Sequence, residues 1–152
     1  MKTSRTIEME KALERALLEN GFSNIKQEHS FCGGRVDFYA EFYTGLGDQS
    51  VGIEIKQELY DLTNSRCGLN FAFDFNYVFV PDNLIYAAMK LSEEHGGGIG
   101  VLSYSKIDRS PYKAIYCIRH PAELLPIGEK EFFHPYRRLE VLPVGEEWLR
   151  FK

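Results

Sequence analysis

Apolar positions along the chain switch between two spacings, one recurring every three or four residues and one recurring every second residue. From about Thr3 to Asn20 the first spacing holds, and it places Met9, Leu13, Ala16 and Leu17 on one helical stripe. Thr3 or Ser4 is placed to cap this helix, and Asn20-Gly21 supplies a left-handed stop. Ile25 to Phe31 reads as a short strand, followed by a Gly33-Gly34 turn into Arg35–Tyr43, which alternates with period two. Gly45 and Gly47 mark the next turn, and Ser50–Gln57 alternates again. The stretch Tyr60–Asn76, interrupted by Gly68, fits neither period. Tyr77–Val80 reads as a buried strand ended by Pro81, and Asp82 is placed to cap a helix that runs to about His95 and closes at Gly96-Gly97-Gly98. Strands near Ile99–Ser105 and Ala114–Arg119 precede an irregular, proline-rich tail. This order predicts an α/β fold around one mixed sheet flanked by helices, its first three strands forming an antiparallel meander.

Composition narrows the class. The 152 residues suit a single domain spanning positions 1–152, and 11 Phe and 9 Tyr exclude general disorder. A chain of this size buries roughly 68–70% of its unfolded surface, so it needs no disulfide or metal to fold. Lys+Arg number 18 against 22 Asp+Glu, a net charge of −4. That balance argues against a surface that coats nucleic acid, and it leaves room for one local basic patch. The apolar runs are short and broken, so no membrane span is expected, and no signal peptide is expected at the start. Cys32, Cys67 and Cys117 have no zinc spacing, and three free thiols predict a cytoplasmic protein.

The chemistry concentrates in the hairpin from Arg35 to Gln57. Val36, Phe38, Ala40 and Phe42 share one face of its first strand, and Arg35, Asp37, Tyr39 and Glu41 share the other. In the second strand Val51, Ile53 and Ile55 oppose Gly52, Glu54 and Lys56. Burial restricts the register, because a one-residue slip would turn an apolar set outward. A four-residue Thr44–Gly47 loop sets Tyr43 opposite Asp48, Phe38 opposite Ile53 and Asp37 opposite Glu54. Directly opposed residues have Cβ atoms about 4.5–5.5 Å apart. Two carboxylates at that distance repel, and a divalent cation between them removes the conflict. Lys56 adds an ammonium on the same face. Two oxygen ligands and an amine suit Mg²⁺, a metal-activated water and phosphodiester hydrolysis. The same residues also suit an ordinary solvated sheet face with weak ion pairs.

On the first helix, Glu10 lies about 60° from the centre of the apolar stripe, so it is the acid best placed to look inward. A solvated helical glutamate is the alternative. Gly34-Arg-Val-Asp37 followed by Ile53-Glu-Ile-Lys56 resembles the PD-(D/E)xK, restriction-endonuclease-like nuclease superfamily. Asp61, Gly68-Leu-Asn70-Phe71, Asn76-Tyr77 and Val78–Pro81 extend the likeness to small bacterial and phage proteins related to DNA-repair endonucleases. The chain departs from the family pattern at Val36, where the family has proline, and at Leu69, where some relatives have histidine.

The resemblance implies an αβββαβ core and an Mg²⁺- or Mn²⁺-dependent DNA endonuclease, with RNA left open as substrate. By it, Asp37, Glu54 and the Ile55 carbonyl would ligate the metal, Lys56 would serve the attacking water, and Glu10 would be an accessory ligand. Because the uncharged Gln57 follows Lys56, Arg35, Arg66, Arg109 and Arg137 are left as candidate phosphate contacts, with ordinary surface as the alternative for each, and Asn70 joins Arg35 and Arg66 as a candidate nucleic-acid contact. Such enzymes often dimerise to cut two strands. The rival is a module that keeps the fold and binds nucleic acid or a partner without catalysis.

Other features carry less. Gly96–Gly100 follows a helix and lacks the Gly-Lys-Ser/Thr ending of a phosphate loop, so it reads as a helix stop. His29, His95, His120 and His134 form no zinc pair. Asp61 is placed either to position Lys56 or to cap the next segment. Phe71, Phe73, Phe75 and Tyr77 alternate as core positions of a strand, and one of these rings could stack on a base.

Overall fold

The computed structural model describes residues 2–19, 21–31, 34–44, 47–63, 73–104 and 115–119. The opening stripe forms helix α1, Ser4–Glu19. Its cap is Thr3, whose Oγ1 accepts the Thr6 N–H at 3.2 Å. Gly21, at φ +81°, ends it: the Gly21 N–H donates to the Leu18 carbonyl at 3.1 Å and the Phe22 N–H to that of Leu17 at 3.0 Å. Met9, Ala12, Leu13, Ala16 and Leu17 are buried, the spacing that aims one helical face at a core.

Strands β1 (Ser23–Phe31), β2 (Gly34–Thr44) and β3 (Gly47–Ile55) pair antiparallel in chain order. The β2–β3 register places Tyr43 opposite Asp48 and Phe38 opposite Ile53, as the alternation predicts. After β3 come a short helix α2 (Leu59–Thr63), strand β4 (Phe75–Pro81), a 3₁₀ turn (Asp82–Leu84), helix α3 (Ile85–Glu94) and strands β5 (Ile99–Tyr104) and β6 (Ile115–Arg119). The six strands form one mixed sheet in the order β1-β2-β3-β4-β5-β6, parallel at β3–β4 and β4–β5 and antiparallel elsewhere.

The pleat separates two cores. Phe38, Ala40, Phe42, Val51, Ile53, Phe75, Tyr77 and Phe79 pack with α1. Alternate residues of β4, Val78 and Val80, pack on the opposite face with Leu62, Leu84, Ile85 and Ala88. Asp37, Glu54 and Lys56 belong to this second face by alternation, away from α1. On β1 Asn24 and Glu28 are left-handed, at φ +49° and +54°; the ladder shifts register between Ser23 and Lys26 and keeps one register from there to Phe31.

Several boundaries differ from the sequence reading. Asp82 does not cap α3; Pro81 is extended, Asp82 opens the 3₁₀ turn, and no side-chain cap bond forms at either start. The ambiguous Tyr60–Asn76 stretch contributes α2 and the start of β4 at Phe75. There the Asp74 carboxylate accepts the Ser50 N–H at 2.8 Å and the Ser50 hydroxyl at 3.1 Å, joining β4 to β3. Strand β3 stops at Ile55, two residues before Gln57. The glycine stop after α3 holds, with Gly96 and Gly97 at φ +66° and +78°. No helix among the described residues is long and apolar enough to cross a membrane. Asn20, Cys32, Gly45, Arg66, Cys67, Gly68, Asn70, Phe71, Arg109 and everything after Arg119, including the tail with Arg137, lie outside the described residues.

Candidate active site

The site begins where two ladders diverge. Between β2 and β3 the backbone register runs to Phe38–Ile53, whereas β2 stays paired with β1 to Gly34 and β3 stays paired with β4 to Ile55. At that fork a side chain replaces the backbone partner: Asp37 Oδ2 accepts the Ile55 N–H at 2.7 Å. Lys56 is held from the other side, its N–H donating to the Phe79 carbonyl at 3.0 Å.

Glu54, half-buried beside the fork, hydrogen-bonds the Asp37 carboxyl. Burial, then the Asp37 charge and this bond, push its pKa up to about 8; the Lys56 and Arg35 cations oppose the shift. The two acids thus meet just beyond the last β2–β3 backbone pair, joined by a hydrogen bond between their carboxyl groups. In an extended strand the N–H and C=O of one residue face the same edge, so the Ile55 carbonyl lies on the edge that Asp37 occupies. Two carboxylates that meet, with the Ile55 carbonyl on the edge Asp37 occupies, are hard oxygen donors of the kind Mg²⁺ or Mn²⁺ takes.

Glu10 is the inward-looking acid of α1, at 11% side-chain exposure. It is not brought into the Asp37–Glu54 pair. Lys2 takes it instead, with Nζ 2.7 Å from Oε2, and the same ammonium stands 4.0 Å from Glu28. The bond to Glu10, aided by the charges of Glu10, Glu28 and Asp37, raises the Lys2 pKa against the opposing effect of desolvation. Among the described residues no group of three or more His, Cys, Asp or Glu side chains gathers closely enough to hold a metal ion. Lys2 had no periodic or motif signal in the sequence. Asp61 falls inside α2 and so is not its cap, and Gln57 Oε1 accepts the Thr3 hydroxyl at 3.2 Å.

Arg35 is exposed beside the acids. On the same face, Tyr39 donates its hydroxyl to the Glu41 carboxylate, which also accepts the Asn24 amide at 2.6 Å. Burial first, then the hydrogen bond and charge of Glu41, push the Tyr39 phenol up to about 12, and the paired Glu41 is held below the ordinary carboxylate range. No protein-family model, no curated protein and no solved structure matches the chain.

Proposed function

We propose that the chain is a divalent-cation-dependent phosphodiesterase that hydrolyses DNA on a restriction-endonuclease-like αβββαβ core. The observation that carries this reading is the meeting of the Asp37 and Glu54 carboxyl groups at the β2–β3 fork, where Asp37 also accepts the Ile55 N–H, with Lys56 next along the chain. The order α1-β1-β2-β3-α2-β4 supports the proposed core.

Asp37, Glu54 and the Ile55 carbonyl would hold Mg²⁺ or Mn²⁺. When bound, that ion lowers the pKa of a water and stabilises charge on a phosphoryl oxygen. The protein's own groups do the rest. The Ile55 N–H fixes one Asp37 oxygen, leaving the other for the site. Glu54 would hold the ion as a carboxylate, its proton released to solvent. Lys56, steadied through its backbone by β4, orients the attacking water and balances the negative charge that grows on the phosphate. Arg35 at the rim contacts a flanking phosphate. Glu10 stays with Lys2, whose charge also reaches Asp37.

The engagement of Glu10 by Lys2 favours a second reading, a module that binds nucleic acid without cutting it. Supercoiled DNA with Mg²⁺ or Mn²⁺, together with thermal melting in each metal, separates the two. Asp37→Asn is expected to lose both cleavage and the metal-induced rise in melting temperature. Lys56→Ala is expected to lose about 10²–10⁴-fold in rate while keeping the metal response. Wild type that binds DNA and never nicks it favours the binding module, and wild type that ignores both DNA and metal ends both readings.

A further inference from the structure

Two residues along β2 from Asp37, about 6.6–6.8 Å at the rise of a strand, stands Tyr39. Its direct partner on β3 is Gly52, which carries no side chain. The Phe73 ring occupies the space over Gly52, so closely that a Cβ there would collide with it. Phe73 is held in place by its own backbone, since its carbonyl accepts the Asn76 side-chain amide at 3.0 Å.

Further rings join this surface. The His29 ring centroid lies 4.5 Å from that of Tyr39 at 34°, Phe73 lies 5.4 Å from Tyr39, and Phe31 meets Phe73 edge-on at 5.0 Å. Lys26 Nζ stands 5.9 Å from the Tyr39 centroid. The ladder sets His29 opposite the buried Val36, and the residue before it, Glu28, is left-handed at φ +54°. All four rings are half-buried, and among the described residues they belong to neither of the two buried apolar clusters.

We propose that Tyr39, Phe73, His29 and Phe31 form a shelf that stacks an unpaired nucleobase next to the phosphodiester held at Asp37 and Glu54. The proposal rests on the phosphodiesterase reading and deepens it by naming the substrate class: a single-stranded or locally opened segment. The shelf is one nucleotide's reach from the acid pair, and Lys26, Arg35 and Lys56 are the cations along the path of a sugar–phosphate backbone. A base within a duplex presents only its edges, whereas an unstacked base offers a face that aromatic side chains accept regardless of sequence.

The test is equilibrium binding of short fluorescein-labelled oligonucleotides in Ca²⁺, followed by anisotropy. Wild type is expected to bind the single strand more tightly than its duplex. Tyr39→Leu and Phe73→Leu are each expected to weaken single-strand binding about 5- to 150-fold, and Tyr39→Phe to retain it. An abasic strand leaves the protein untouched: wild type and Tyr39→Leu should bind it equally weakly. The shelf is overturned if Tyr39→Leu binds like wild type, or if the abasic strand binds as tightly as the natural one. Ring-dependent binding of a deoxyribo- or a ribo-oligonucleotide supports it, the tighter of the two identifying the source of the base. Nicking of supercoiled DNA in Mg²⁺ is scored separately. Ring-dependent binding without nicking keeps the shelf and removes the hydrolysis; nicking with ring-independent binding does the reverse.

Discussion

A carboxyl group that keeps its proton to about 8 in the fold, against an ordinary value of 4.5, makes Glu54 a stability determinant as well as a candidate ligand. The folded chain binds one more proton than the unfolded chain between those two values. The associated stability is complete below about 4.5 and is lost as pH rises through about 8. Without divalent metal, the melting temperature should therefore fall more steeply from pH 5 to pH 8 in wild type than in Glu54→Gln, which has no proton to lose. Parallel slopes for the two proteins would show that Glu54 is already ionised at pH 5. Because the ion and the proton compete for the same oxygens, Mg²⁺ affinity in wild type should rise across the same interval. This pairing was readable from the sequence because both strands alternate cleanly and glycines bound the turn. The Lys2–Glu10 bond was not, because a lysine ahead of a helix belongs to no period and has many surfaces it could reach.

Gly52 gives the clearest case of one element depending on another. It sits in the interior of β3, where glycine ordinarily weakens a strand, and its bare Cα is what lets the Phe73 ring lie across the sheet. Gly52→Ala should displace that ring and cost about 1–3 kcal/mol of stability in urea denaturation. A variant that melts like wild type and keeps full single-strand affinity would remove the ring from its assigned seat. The aromatic run Phe73, Phe75, Tyr77 looked like one alternating strand face, and Phe75 and Tyr77 are indeed buried with α1. Phe73 departs because β4 begins only after Asp74, whose carboxylate is tied to Ser50. His29 was unreadable for a different reason. Its ring meets Tyr39 although the ladder pairs His29 with Val36, and Glu28 before it is left-handed without being a residue type that favours that backbone. Asp82 misled through a sound rule: an acid after proline often caps a helix, but here a 3₁₀ turn comes first.

At the scale of the molecule, a net charge of −4 confines any attraction for nucleic acid to a local patch. Three cations on the proposed path, Lys26, Arg35 and Lys56, predict a logarithmic salt slope of about −2 for single-strand binding. Titration across a range of NaCl concentrations checks this, and a much steeper slope would mean that other basic residues carry the contact. The α/β class, the meander and its register were accessible because burial on two faces leaves few arrangements of these strands. Position in the sheet carries a last consequence. Each described strand lies beside the one that precedes it in sequence, so no described strand is inserted between two consecutive ones. The two acids come from neighbouring strands of one hairpin, whereas the backbone of Lys56 is anchored by Phe79, on a strand that follows α2. The acidic half of this centre thus depends on a contact local in sequence, and the basic half on one that reaches into the next parallel strand.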